Sequence, residues 1–125
     1  MDRREQLVDL IKQEAEITDK DKIIINAFKL ITDYLEPVEK ELEHSNLDNS
    51  EYKILTGQIG AAIKVSDKNL YFYDRNDYIQ LEYFDNNVHK EDYDKLVISG
   101  NHLKSMKYDI PLSNELLDKY LELFF

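Results

Sequence analysis

Up to about Glu51 the apolar residues of this chain recur every three or four positions; beyond it they recur every second position. Those are the repeats of a helix face and of one side of a strand, so the chain has to hold helices and a sheet together. At 125 residues, with no Gly/Ser/Pro linker, a single domain spanning residues 1–125 with one core accommodates both. Such a domain buries roughly two-thirds of the surface its unfolded chain exposes, enough for stability without covalent staples. The chain has no cysteine, which excludes disulfides, zinc–thiolate sites and thiol nucleophiles.

The front half divides into two helical stretches. Leu7, Val8, Leu10, Ile11 and Ala15 share one helix face, and "ITDKDK" interrupts the pattern with Thr18 or Asp19 placed to cap the next element. Ile24, Ala27, Phe28, Ile31, Tyr34, Leu35, Val38 and Leu42 then keep a helical period. Pro37 lies inside that run, where it removes a donor and crowds the carbonyl of Asp33, so a kink or a restart is expected there. "EHSNLDNSE" reads as the loop that ends the element.

"GQIGAAIKV", "LYFYD" and the run from Tyr78 to Tyr83 alternate with a period of two and are separated by the polar turns "SDKN" and "DRND". They predict an antiparallel meander. "DNNVHKEDYD" reads as a polar loop, "KLVIS" as a fourth strand and "LKSMKYDI" as a fifth, with Gly100 and Asn101 turning between them. Pro111 stops the sheet, and Ser113 caps a last helix whose stripe is Leu116, Leu117, Tyr120, Leu121, Phe124 and Phe125. Both terminal phenylalanines are expected to be buried, under the sheet or against another chain. The expected fold is α+β: an N-terminal helical pair with its second helix long and kinked near Pro37, an antiparallel sheet of 3–5 strands within residues 52–110, and a C-terminal helix packed on the sheet.

Six of the fourteen aromatic residues fall between Asn69 and Phe84. The two-residue period puts Leu70 and Phe72 on one side of their strand and Tyr71 and Tyr73 on the other; Tyr78 joins the second group if the strands align. Stacking of nucleic-acid bases on these tyrosines would need cations around them, and the stretch offers Arg75 against Asp74, Asp77, Glu82 and Asp85. Packing within the sheet, contact with a protein partner and stacking of a ligand remain, in that order.

Catalytic signatures are missing. Three glycines build neither a dinucleotide fingerprint nor a phosphate loop, no H-E-x-x-H is present, and no serine sits in a nucleophile elbow. The best metal candidate, Asp85, His89, Glu91, Asp92 and Asp94 in "DNNVHKEDYD", lacks the glycine and spacing of a calcium loop and reads as solvated charge. No cofactor, metal or catalytic residue is expected. No window reaches the roughly 18 apolar residues of a membrane helix, and the charged start "MDRREQLVDLIKQEAE" lacks an apolar leader core, so the cytoplasm is the expected location.

A net charge of −10 remains as the main functional signal. It repels nucleic acids and anionic membranes and attracts basic proteins. The expected function is a small acidic protein-binding module of the inhibitor, immunity or antitoxin type acting on a basic partner such as a nuclease or toxin. The contact surfaces expected for it are the acidic run Asp33, Glu36, Glu39, Glu41 and Glu43, the tyrosines Tyr71, Tyr73 and Tyr78, and the loop acids Glu91, Asp92 and Asp94. The alternative is a homo-oligomeric accessory protein of a phage or mobile element, dimerising through residues 116–125.

Overall fold

The computed structural model describes residues 2–45, 51–57, 60–86 and 88–125, with their side chains except at positions 14–19, 90 and 91. One long helix, α1 (Arg3–Glu43), leads into the strands β1 (Tyr52–Thr56), β2 (Gly60–Val65), β3 (Lys68–Asp74), β4 (Tyr78–Asp85), β5 (Val88–Ser99) and β6 (His102–Ser105). A short helix, α2 (Asn114–Leu121), and a 3-10 turn (Glu122–Phe124) follow. The six strands form one antiparallel sheet in sequential order, so the α+β class and the meander hold. The sheet exceeds the expected 3–5 strands.

Both differences in the sheet have a physical cause. The strand β1 lies in the stretch where the period changes, and it is too short and too exposed to show clean alternation. The supposed loop from Asp85 to Asp94 is, from Val88 on, the first half of β5, hidden because two bulges break its alternation. Phe84 pairs with His89 but Tyr83 pairs with Glu91, leaving residue 90 as an extra residue; Glu82 pairs with Asp92 but Leu81 pairs with Asp94, leaving Tyr93 as another. Conversely, "LKSMKYDI" is strand only as far as Ser105, after which the chain turns. The turn at Gly100 is as expected, with glycine in the left-handed region at φ 67.

The expected N-terminal pair is a single continuous helix. It starts at Asp2, whose carboxylate accepts the Arg4 N–H, and passes through "ITDKDK", so Thr18 and Asp19 start nothing. Pro37 does not end it either. That residue is exposed, so the carbonyl deprived of its donor faces water.

Alternation and register put Ala61, Ile63, Leu70, Phe72, Ile79, Leu81, Leu96 and Leu103 on one side of the sheet, all buried. Ile24, Ala27, Phe28, Ile31 and Leu35 of α1 and Leu116, Leu117 and Tyr120 of α2 complete the same core. The α2 helix begins as expected, with Ser113 Oγ accepting the Leu116 N–H at 3.3 Å. Its Tyr120 ring meets Phe72 edge-on, with centroids 6.1 Å apart. Both helices thus lie on the Phe72 side, and no described element lies on the other. Phe125 corrects the expectation for the chain's last residues: it is 99% exposed, because the 3-10 turn directs it past the core, while Phe124 packs partly against it.

The two helices are tied by Tyr34, whose hydroxyl donates to the Asp118 carboxylate. Burial, then that hydrogen bond, pushes the Tyr34 phenol up to about 12. Burial and the Asp94 carboxylate push Tyr120 up further, and Tyr73 and Tyr83 move the same way. A phenol that ionises near 10 when unfolded and higher when folded keeps its contribution below pH 10 and loses it as pH rises toward 12. Urea midpoints are therefore expected to fall steadily above pH 10, and Tyr120→Phe is expected to flatten part of that fall. A midpoint constant to pH 11.5 would contradict this.

Candidate partner-binding face

The uncovered side of the sheet presents a run of rings. Tyr71 and Tyr73, two residues apart on β3, stack with centroids 5.7 Å apart, and Phe84 on β4 meets Tyr71 edge-on at 5.4 Å. His89 on β5 continues the run against Phe84 at 5.1 Å. Tyr71, Tyr73, Tyr78 and Phe84 are all half-buried, so each keeps part of its ring in water. A water-facing sheet side ordinarily alternates polar residues into these positions. The expectation that Tyr71, Tyr73 and Tyr78 lie opposite the core residues agrees with this placement; Phe84 was not foreseen.

Charge gathers beside the rings. Glu82 pairs across strands with both Tyr71 and Asp92, and the extra residue at position 90 carries His89 and Asp92, three apart, onto one side. His89 Nε2 and Asp92 Oδ1 are 3.3 Å apart. One ligand-type atom each of Glu82, His89 and Asp92 lies within 4.8 Å of the others, a set chemically suited to a divalent cation such as zinc or manganese. The sequence reading looked for ligands along the 85–94 segment, whereas the cluster uses β4 as well. Only strand register could have revealed Glu82. Cations flank the patch: Arg75 lies over the Tyr73 ring at 5.1 Å and Lys95 over Tyr78 at 5.3 Å.

The remaining sequence candidates do not join this face. Asp33, Glu36, Glu41 and Glu43 are exposed and Glu39 half-buried on α1, across the sheet from the tyrosines. Glu36 is paired with Lys40 at 2.8 Å. Asp94 is no surface acid: it is 5% exposed and on the helix side of the sheet. Its Oδ2 accepts Ser105 Oγ and the Tyr120 hydroxyl, each at 2.5 Å, and its Oδ1 accepts the N–H of Lys95 at 2.7 Å and of Lys107 at 3.0 Å. This carboxylate is structural. The Glu91 side chain lies outside the described residues. Of residues 116–125, Leu116, Leu117 and Tyr120 are buried in the chain's own core.

An apolar groove of ≈ 330 Å³ opens between α1 and the β1–β2 end, lined among others by Leu35, Val38, Ile54, Ile63 and Phe124. It offers few polar groups to orient a substrate. No described helix is long and apolar enough to cross a membrane. Comparison with family models, curated proteins and solved structures gives no match.

Proposed function

We propose that this chain is a non-catalytic protein-binding module of the inhibitor, immunity or antitoxin kind, docking a basic protein partner on its uncovered sheet face. The observation that carries the reading is the grouping of Glu82 and Asp92 beside the Tyr71 and Phe84 rings on that face. A lysine or arginine presented there meets carboxylates and an aromatic face together, two attractions that reinforce each other once water is displaced. Tyrosine and phenylalanine add contact area at low entropic cost because their side chains have few rotamers. The −10 net charge, spread along the chain, speeds encounter with a basic molecule without forming the contact itself.

The test uses the chain as bait in a lysate of its source at low salt, beside a Tyr71→Ser/Glu82→Lys variant. Both side chains are partly exposed, so the variant is expected to fold normally. The wild type should retain a basic protein that high salt releases, and the variant should retain it roughly tenfold less. Equal retention by both chains, or retention indifferent to salt, refutes the reading. The homo-oligomeric alternative draws its support from a different feature, the exposed stripe near the start of α1.

A further inference from the structure

We propose that two copies of this chain pair antiparallel through the first turns of α1. The helix has 41 residues and is therefore about 61 Å long at 1.5 Å per residue, but the first buried residue among its described side chains is Ile24. Every described side chain from Asp2 to Gln13 is exposed. Among them Leu7, Val8, Leu10 and Ile11 are 49–56% exposed and form one apolar stripe.

This stripe does not continue the face that packs on the sheet. At 100° per residue, its mean direction lies roughly 120° around the helix from that of Ile24, Ala27, Phe28, Ile31 and Leu35. No rotation of α1 buries both stripes against one sheet. An amphipathic segment of this length draws most of its stability from packing its apolar side rather than from propensity, so the stripe needs a cover of its own.

A second copy fits because the segment is self-complementary in charge. About a twofold axis at Asp9, an antiparallel pair sets Leu7 against Ile11, Val8 against Leu10, and Arg4 against position 14, a glutamate in the sequence. Asp9 lies on the far side of the helix from the stripe, so the axis brings no like charges together. A parallel pair would instead set Arg3 and Arg4 beside their own copies. The contact uses neither the sheet face nor the helix side that packs on it, so the dimer stands or falls independently of the docking proposal.

Sedimentation of the full chain at high micromolar concentration and moderate salt is expected to give a dimer. Leu7→Asp/Ile11→Asp is expected to give a monomer whose core melts as the wild type does, since neither residue touches the core. Arg4→Glu should weaken dimerisation roughly fivefold, and adding Glu14→Arg should restore it. A monomeric wild type, or a dimer that survives Leu7→Asp/Ile11→Asp, overturns the proposal. An Arg4→Glu dimer of unchanged affinity overturns the antiparallel arrangement.

Discussion

Asp94→Ala is expected to destabilise the fold by about 3–5 kcal/mol, the summed cost of leaving several buried donors without their acceptor. The substitution removes an acceptor from four donors, two of which, the Ser105 and Tyr120 hydroxyls, belong to residues no more than 1% exposed. Each orphaned hydroxyl then carries an unmet desolvation cost of about 1–3 kcal/mol. The damage spreads because Ser105 Oγ also accepts the Tyr108 N–H at 3.0 Å, so the turn after β6 and the seat of α2 depend on the same carboxylate. Asp94→Asn keeps the size but turns one acceptor into a donor facing donors, and should recover little of the loss. Tyr120→Phe and Ser105→Ala should each cost about 1–2 kcal/mol, less than Asp94→Ala, because each leaves the carboxylate its other partners. Urea unfolding measures all of these. A loss below about 1 kcal/mol for Asp94→Ala would mean the carboxylate is dispensable.

The second large effect separates two neighbouring residues. Phe72→Ala, at a side chain 2% exposed between both helices, is expected to cost about 3–5 kcal/mol through lost burial and a cavity. Tyr71→Ala, one residue earlier and on the uncovered side, is expected to cost about 1 kcal/mol, since it forfeits only ring contacts with Tyr73 and Phe84. For a domain whose whole stability is roughly 5–15 kcal/mol, the first change approaches unfolding and the second does not. Similar losses at both positions would mean the tyrosine side is packed too.

Much of this contrast is legible in the order of residues. Leu70 and Phe72 against Tyr71 and Tyr73 is a two-residue alternation, and strand geometry converts it directly into two sides. Ser113 and the α2 stripe are equally plain, because a cap and a 3.6-residue period are local signals. Local signals failed where the fold is settled by distant contacts. The two apolar stripes of α1 differ in direction, and a change of direction looks like a change of helix. The bulges of β5 erase its alternation and make a strand resemble a loop, although they also assemble Glu82, His89 and Asp92 and turn Asp94 inward. In sequence Asp94 is one acid among many, and only Ser105 and Tyr120, 11 and 26 residues away, distinguish it.

Cysteine labelling tests the uncovered face most directly, because the chain has no cysteine of its own. Ala61 is buried toward the helices, while its neighbour Ala62, paired with Tyr71, is partly exposed on the opposite side. A helix layer on one side alone predicts that a thiol in Ala62→Cys reacts promptly with a small maleimide, while one in Ala61→Cys waits for unfolding. Equal protection at both positions would contradict the open face on which the binding proposal rests.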